Sequence, residues 1–338
     1  MRLIYLFFGF LLASTTTVNA GITLQSTLER GYVRCGIGET THLGFTFHNT
    51  NGRVEGFDID FCRVVASALF GDPDRVDFSV VSNEKRLTLL SAGEYDVLYR
   101  TTTWTLMRDA GTGLDFAGVN MYDGQGFMVH ADSGVTTLAD LGPANICVNA
   151  DTTTHKNLED YIKLHKKPWT VELGSNEDIL KNNFFTRKCD AYTDDRSGLA
   201  SIRASDAPLP ERIRILPDTI SKEPLGAVVR NDDPQWFDIV KWSLLATVEA
   251  EELGLNSKNI DAAKTATSPA LRRFTGQTSE LGDALGLPQD WAYNVIKHVG
   301  NYGEIFERNV GEQTPLGLSR GLNNLWTKGG LMYAPPFR

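Results

Sequence analysis

The chain has 338 residues, of which 41% are hydrophobic and 22% charged, and its formal net charge at pH 7 is −9. This length is sufficient for two globular domains, and the composition is that of an ordinary folded protein. The acidic balance argues against nucleic acid as a partner, because nucleic acid requires a basic protein face.

The N-terminus has the features of a cleavable secretion signal. Arg2 supplies a positive charge, and the apolar run at residues 3–13 has the length of a signal-peptide core but is too short to span a bilayer. Val18-Asn19-Ala20 is a small-residue cleavage site. We therefore expect cleavage after Ala20, with residues 1–20 as the signal peptide and an exported mature chain.

The four cysteines of an exported chain are expected to form two disulfide bonds. Three pairings are open, and we favour Cys35–Cys62 with Cys147–Cys189 because it keeps each bond within one half of the chain. A zinc site would need closely spaced cysteines, which the sequence lacks. The six histidines show no pair at helical ligand spacing, so we expect no metal and no other cofactor.

The first part of the mature chain alternates between predicted strands and helices. In the helix that ends before Gly71, apolar residues recur at the spacing of one helix face. The predicted strands are 32–37, 76–81 and 95–99, and the predicted helices are 58–70 and 84–91. Such alternation is typical of a mostly parallel sheet covered by helices.

The same order of elements then begins again. Strands are predicted at 126–129, 145–148, 170–173 and 190–193, and helices at 138–142, 153–164 and 177–185. An apolar strand at 225–229 follows, and then a long helix with Asp233 as N-cap, Pro234 as first residue and Gly254 at its end.

This repeated architecture predicts an α/β protein of two lobes joined by two chain crossings. The first lobe comprises residues 21–125 and 225–338, the latter with a C-terminal helical extension, and the second lobe comprises residues 126–224. Ligands of open α/β sheets bind at the carboxyl ends of the strands. We therefore expect one cleft between the lobes, lined by the loops that follow the strands.

Several of these loops carry groups suited to a small zwitterion. The segment from Thr101 to Arg108 offers hydroxyl groups and a guanidinium, whose planar fork matches a carboxylate with two parallel hydrogen bonds. Thr152-Thr153 begins a predicted helix, where N–H and hydroxyl groups can bind an anion. Asp194-Asp195 ends a predicted strand, and a carboxylate at that place suits an ammonium group.

These residues resemble the signature of periplasmic amino-acid-binding proteins of ABC importers, solute-binding protein family 3. The resemblance also includes Gly56-Phe57-Asp58-Ile59-Asp60 and covers the whole mature chain. Segments such as Ser221-Lys222-Glu223-Pro224-Leu225-Gly226 are similar to the subfamily that serves general L-amino-acid permeases. The resemblance implies the type II periplasmic-binding-protein fold, a periplasmic monomer, an L-amino acid ligand and an inner-membrane ABC permease complex as partner.

The resemblance also implies roles for individual residues. Arg108 would clamp the α-carboxylate of the ligand, assisted by Thr103. Thr101 would hold the α-amino group from the first lobe, and Asp195 would neutralise it from the second. Thr153 would add a hydrogen bond to the carboxylate when the lobes close.

The side-chain subsite departs from the family pattern. The loop that contains His42 lacks the usual aromatic platform, Asp151 stands where glycine is usual, and Asp194 stands where threonine is common. Arg86, Arg100 and His42 are candidates for contact with the ligand side chain. The added negative charge of Asp151 and Asp194 predicts that acidic side chains are disfavoured.

Two other functions are compatible with this fold. A periplasmic dehydratase of the cyclohexadienyl or arogenate type would use a cleft carboxylate with a raised pKa for proton transfer. A carboxylate paired with an ammonium group instead stays ionised, which suits binding, so we expect no enzyme. A sensor module that presents ligand to a receptor remains an alternative.

Overall fold

A computed structural model of the protein describes residues 21–278 and 280–338. The predicted signal peptide, residues 1–20, lies outside the described residues. None of the helices in the two described ranges has the length and hydropathy that crossing a membrane requires.

The described chain alternates strands and helices up to its last strand and is helical after it. The strands are β1 (Val33–Ile37), β2 (Thr41–His42), β3 (Thr46–His48), β4 (Val54–Glu55), β5 (Val76–Val80), β6 (Val97–Leu98), β7 (Leu114–Asp123), β8 (Gln125–His130), β9 (Ala144–Asn149), β10 (Trp169–Gly174), β11 (Ala191–Asp195), β12 (Ile213–Ile215) and β13 (Glu223–Arg230). The helices are α1 (Ile22–Arg30), α2 (Phe57–Phe70), α3 (Arg86–Ser91), α4 (Leu106–Ala110), α5 (Thr153–His165), α6 (Glu177–Phe185), α7 (Arg196–Ser205), α8 (Pro234–Glu252), α9 (Ile260–Ala263), α10 (Pro269–Phe274), α11 (Leu281–Leu285), α12 (Trp291–His298) and α13 (Tyr302–Asn309).

Two five-stranded sheets form the body of the described chain, with the orders β5-β1-β6-β13-β7 and β10-β9-β11-β8-β12. In each sheet four strands point the same way, and one strand, β13 or β8, runs against its neighbours. This confirms the mostly parallel α/β fold. We call the unit around the first sheet the first lobe and the unit around the second sheet the second lobe.

The chain passes between the two sheets twice. It leaves the first sheet after β7 and enters the second with β8, so the first crossing is at Gly124. It returns between β12 and β13, so the second crossing ends at Glu223. Because β7 and β13 are paired over their length, with Asp123 opposite Glu223, the two crossings lie side by side.

Helix α2 is the centre of the first-lobe core. It begins after Gly56, whose φ of +134° is a conformation that glycine adopts readily and other residues rarely do. A Cβ at this position would also lie only 2.1 Å from the Phe45 carbonyl oxygen. It ends at Gly71, whose left-handed φ of +64° makes a standard C-cap. Helices α8, α12 and α13 pack on α2, so nearly every side chain of α2 is buried.

Several hydrogen bonds fasten the C-terminal extension to the first lobe, and two sets of them involve α2 and β7. The buried Asp60 carboxylate of α2 accepts hydrogen bonds from Arg308 Nε at 2.8 Å and Asn309 Nδ2 at 2.6 Å. Further along, Asn323 Oδ1 accepts from the Tyr122 N–H at 2.7 Å, and Asn323 Nδ2 donates to the Tyr122 carbonyl at 3.0 Å. The second contact lies at the end of β7, next to the first crossing.

One predicted element is wrong, and others escaped prediction. The expected helix at 138–142 is a turn, because the Asp140 carboxylate accepts hydrogen bonds from the N–H and hydroxyl groups of Thr136 and Thr137. Such side-chain bonds compete with helical backbone bonds. Strand β7, helix α7 and the small sheet of β2, β3 and β4 were not predicted, since none has a clear apolar period.

The two disulfide bonds join Cys35 to Cys62 and Cys147 to Cys189, which is the pairing favoured from the sequence. The first bond links β1 to α2, and the second links β9 to Cys189, which lies two positions before the start of β11. All four side chains are fully buried. Each bond therefore fastens a helix or strand to the core of one lobe.

We predict that the double variant Cys147→Ser with Cys189→Ser loses about 2–4 kcal/mol of unfolding free energy. The bond closes a segment of 42 residues, and its removal returns that entropy to the unfolded chain. Urea denaturation of the oxidised proteins measures the loss. The variant Cys35→Ser with Cys62→Ser, which opens a 27-residue segment, should show a similar loss. Equal denaturation midpoints for wild type and variants would contradict the prediction.

Candidate functional site

The lobes contact each other at the carboxyl ends of their strands. The hydroxyl oxygens of Thr103, in the segment after β6, and Thr153, the first residue of α5, are 3.3 Å apart. The Thr153 hydroxyl donates a hydrogen bond to Glu223 Oε2 at 3.0 Å. The proton between the two threonines therefore comes from Thr103, and a chain of three side chains crosses the cleft.

Arg108 lies on the first-lobe side of this cleft. Thr105 begins α4 by accepting the N–H of Arg108 on its hydroxyl oxygen at 3.3 Å. Arg108 Nη1 donates to the Thr103 carbonyl at 2.9 Å, which is its only side-chain hydrogen bond with the described residues. Burial lowers the pKa of Arg108, while the carboxylates of Glu223 and Asp195 oppose that shift. The guanidinium therefore has N–H groups left for an anion.

Thr101 has an unusual backbone conformation. Its φ is +36°, which is uncommon for a residue with a Cβ, and its N–H donates to Asp58 Oδ2 at 3.2 Å. Burial raises the pKa of Asp58 to about 7, and the Thr101 N–H partly offsets this. Asp58, to which the sequence assigned no role, therefore stabilises the backbone that presents Thr101 beside the cleft.

Arg86 and Arg100 are joined through one asparagine. Both side chains are buried, and both guanidinium groups donate to Asn83 Oδ1, Arg100 at a distance of 2.7 Å. Arg100 Nε also donates to the Val81 carbonyl at 2.8 Å, whereas Arg86 Nε is buried without a partner among the described residues. Burial, and then the like charges of Arg100 and Arg108, lower the pKa of Arg86. Three arginines thus share one side of the cleft.

The second lobe faces these arginines with carboxylates. Asp194 Oδ1 accepts the N–H of Asp195 at 2.9 Å, and Asp195 Oδ1 is buried without a hydrogen-bond donor among the described residues. Burial and the charge of Glu177 raise the pKa of Asp194 to about 7. Burial and the charges of Asp123 and Asp194 raise the pKa of Asp195. A positive group placed beside Asp195 would relieve this crowding.

His42 lies between the two lobes as a neutral side chain. Its ring packs on Phe45 with the ring centroids 4.9 Å apart. Burial, followed by the charges of Arg100 in the first lobe and Lys181 in the second, lowers the pKa of His42 to about 3. His42 therefore presents an uncharged imidazole at neutral pH.

A polar cavity of about 340 Å³ opens between the lobes. Its lining includes Glu39, Asn83, Arg100, Asn149, Asp151, Asn176 and Glu177. Asp151 has a φ of +58°, which accounts for the glycine usual at this position, because glycine adopts left-handed backbone without a steric cost. Here the same backbone carries a carboxylate to the cavity wall.

The sequence-predicted residues lie around one cleft, but only some of them are connected by hydrogen bonds. Hydrogen bonds connect Arg108, Thr103 and Thr153. Asp195 forms no hydrogen bond with them, but its negative charge acts on Arg108. The residues that the sequence did not single out are Asn83, Asp58 and Glu223. Asp58 and Glu223 lie in the segments 56–60 and 221–226, and the resemblance of these segments to the family was the only signal for them.

The arrangement can bind a molecule that carries both a carboxylate and an ammonium group. Arg108 has guanidinium N–H groups without acceptors on one lobe, and Asp195 has a carboxylate oxygen without a donor on the other, among the described residues. Within the described residues no group of His, Cys, Asp and Glu is placed to hold a metal ion.

Comparison with known proteins identifies the family. Residues 33–265 match the bacterial extracellular solute-binding proteins, family 3. The chain belongs to this family. A general L-amino-acid-binding periplasmic protein of Rhizobium johnstonii is 46% identical over 329 residues, covering 97% of this chain and 96% of that protein. A glutamate/glutamine/aspartate/asparagine-binding protein of Rhodobacter capsulatus is 46% identical over 324 residues, covering 94% and 95%.

A solved structure of this family has the same overall fold. The periplasmic binding protein of an ABC transporter from Brucella ovis, with glutathione bound, superposes with a TM-score of 0.91 at 43% identity. The match covers 94% of this chain and 99% of the Brucella chain. The two-lobed periplasmic-binding-protein fold is thereby confirmed.

We predict that Asp194→Asn makes the protein more stable than wild type at pH 8 and changes it little at pH 4. The pKa of Asp194 is raised to about 7, so between its ordinary value of 3.8 and 7 the folded state binds more protons than the unfolded state. Unfolding free energy contributed by this group therefore falls as pH rises through that window. Urea denaturation at several pH values measures the difference. The exposed Asp160→Asn serves as control, and a pH-independent difference for Asp194→Asn would contradict the prediction.

Proposed function

We propose that this protein binds L-amino acids in the periplasm and delivers them to an inner-membrane ABC permease complex. Two unsatisfied groups of opposite charge carry the proposal. Arg108 on the first lobe has N–H groups without acceptors, and Asp195 on the second lobe has a carboxylate oxygen without a donor, among the described residues. Opposite charges on the two lobes match the two ends of an α-amino acid. The names of the Rhizobium and Rhodobacter relatives support the same ligand class.

The proposed cycle starts with capture on the first lobe. Arg108 and Thr103 bind the α-carboxylate, and Thr101 contributes to holding the α-amino group. Closure then brings Asp195 onto the ammonium and Thr153 onto the carboxylate. Because the Thr153 hydroxyl already donates to Glu223, we assign its contribution to the backbone N–H, which lies in the first turn of α5 and has no intrahelical acceptor. Contacts made only on closure shift the protein toward the closed form.

The cycle involves no chemical conversion of the ligand. In the closed form the Asp195 carboxylate would pair with the ammonium and stay ionised, which removes the proton-transfer role that a dehydratase needs. The relatives named above are binding proteins, which supports this view. We propose a periplasmic monomer that hands its ligand to the permease, and a ligand-presenting sensor role is the alternative.

Glutathione is a second candidate ligand. The Brucella relative has it bound, and its γ-glutamyl end carries the same α-carboxylate and α-ammonium as an amino acid. The interlobe cavity of about 340 Å³ offers polar walls for the rest of a ligand larger than a single amino acid. Arg100 and Asn83, which line the cavity, can bind a second carboxylate or peptide carbonyl.

We predict that Arg108→Ala weakens the binding of every amino acid ligand by at least about 100-fold. Without the guanidinium, the buried ligand carboxylate lacks its cation, which costs about 3 kcal/mol or more. Isothermal titration calorimetry with L-glutamine and L-glutamate measures the loss. Arg187→Ala, which removes an exposed arginine paired with Asp132, is the matched control and should bind as wild type. Affinity within about tenfold of wild type would refute the carboxylate assignment.

We also predict that glutathione and amino acids compete for one site. A thermal-shift screen across the twenty amino acids and glutathione should raise the melting temperature for each ligand that binds, because a ligand stabilises the state that it binds. Saturating glutathione should abolish the calorimetric heat of the best amino acid. Additive binding would show that glutathione occupies a separate site. The screen also compares glutamate with glutamine, which tests the effect of Asp151 and Asp194.

A further inference from the structure

The two chain crossings each end in a carboxylate, and these two carboxylates are neighbours. Asp123 is the last residue of β7 and Glu223 is the first residue of β13, and they are register partners in the antiparallel pair. The Glu223 side chain is only 1% exposed. Neither residue has a role in the ligand contacts proposed above.

Each of these carboxylates holds the beginning of one second-lobe helix. Asp123 Oδ2 accepts the N–H of Ser197, in the first turn of α7, at 3.1 Å. Glu223 accepts from two side chains of α5, with Oε2 bound to the Thr153 hydroxyl at 3.0 Å and Oε1 bound to Asn157 Nδ2 at 2.8 Å. Helix starts present unpaired N–H groups and a positive partial charge, so a carboxylate is well placed there.

The same two helices carry the second-lobe residues of the proposed site. Thr153 is the first residue of α5, and Asp195 immediately precedes α7. A displacement of either helix start relative to the crossings would therefore move a ligand contact by the same amount. The carboxylates of the crossings thus determine where Thr153 and Asp195 lie relative to Arg108.

The second crossing is also attached to the first-lobe half of the site. The Trp104 N–H donates to the Pro224 carbonyl at 2.8 Å, and Thr103 forms a β-bridge with Leu225. Glu223 therefore stands between the segment that carries Arg108 and the helix that carries Thr153. Ser221 Oγ donates to Glu223 Oε1 at 2.6 Å and fixes the carboxylate within the crossing itself.

We propose that Glu223 and Asp123 are positioning residues that hold α5 and α7 against the crossings in the ligand-bound arrangement, with Glu223 as the principal latch. This inference rests on the proposed function. Glu223 has the larger part because its bonds to Thr153 and Asn157 join side chains of two lobes and continue to Thr103 through the Thr153 hydroxyl. Hydrogen bonds to a buried carboxylate are strong, so those of Glu223 favour the arrangement in which α5 lies against the crossing.

The latch predicts a specific kinetic effect. Capture on the first lobe uses no hydrogen bond of Glu223, so Glu223→Gln should leave the association rate constant for L-glutamine within about threefold of wild type. Glutamine has one acceptor oxygen and no charge, so the variant cannot accept from both Thr153 and Asn157, and its dissociation rate constant should rise about tenfold. Asp123→Asn should give a smaller rise. Stopped-flow fluorescence measures both constants, and the exposed Glu211→Gln is the matched control.

A double-mutant cycle separates positioning from general destabilisation. Asn157→Ala removes the same hydrogen bond from the side of α5, so its effect on dissociation should not add to that of Glu223→Gln. A variant that is only less stable would instead show additive effects and a lowered melting temperature. An unchanged dissociation rate constant in Glu223→Gln, or a loss confined to association, would overturn the inference.

A distance measurement checks the closed state directly. Val80 and Leu173 are exposed residues of the first and second lobes, and all four native cysteines are in disulfide bonds, so cysteines introduced there accept spin labels selectively. With saturating L-glutamine, the wild-type protein should show one short distance, and Glu223→Gln should retain a population at the longer, ligand-free distance. If the wild type binds no amino acid at all, the proposed function fails. If the wild type closes and Glu223→Gln closes equally, only the latch fails.

Discussion

The burial of opposite charges on the two walls of one cleft is the constraint on which the other features depend. Arg86, Arg100 and Arg108 lie on the first lobe, and Asp194 and Asp195 face them from the second. Charges removed from water are costly unless they are paired. Within its own lobe, each arginine donates hydrogen bonds to uncharged groups, namely the Asn83 side chain and backbone carbonyls, and the opposite charges of Asp194 and Asp195 lie on the facing lobe. Across the cleft, the carboxylates of the second lobe oppose the lowering of the arginine pKa values that burial causes.

The two chain crossings determine how the charged walls of the two lobes face each other. Strands β7 and β13 are paired from Leu114 to Asp123, and the lobes are connected only where this ribbon ends, within the part of the chain that the structure describes. The C-terminal extension supports the first crossing, because Asn323 forms hydrogen bonds with both the N–H and the carbonyl of Tyr122 beside it. The family match ends at residue 265, so Asn323 lies outside the matched region. The extension therefore supports the first crossing with a residue that the matched region does not include.

Much of the fold could be predicted from local sequence patterns, whereas the rest depends on long-range contacts. Helices α2 and α8 and the buried strands were predictable because an apolar face repeats along them. The site loops were predictable because parallel strands end at one edge of a sheet. The turn at Asp140 was not, since its carboxylate outcompetes a weak helix. Asn83 between two arginines, and Asp58 beneath Thr101, depend on residues 17 and 43 positions away, which no local pattern reveals.

The two ends of the proposed ligand, its α-carbon end and its side chain, would contact different kinds of protein segment. In the proposed site, the first-lobe contacts of the invariant end come from one continuous segment, Thr101 to Arg108, whose backbone is tied to Pro224 and Asp58. Asp195 and Thr153 would complete these contacts from the second lobe. The variable end meets a cavity whose walls come from several separate loops, so single substitutions there alter the cavity without moving Arg108. Asp151 illustrates this freedom. Its left-handed backbone costs a residue with a Cβ about 1 kcal/mol, yet it adds a carboxylate to a wall that already contains Glu39 and Glu177. An acidic wall beside Arg100 would discriminate between ligands by charge and not by shape.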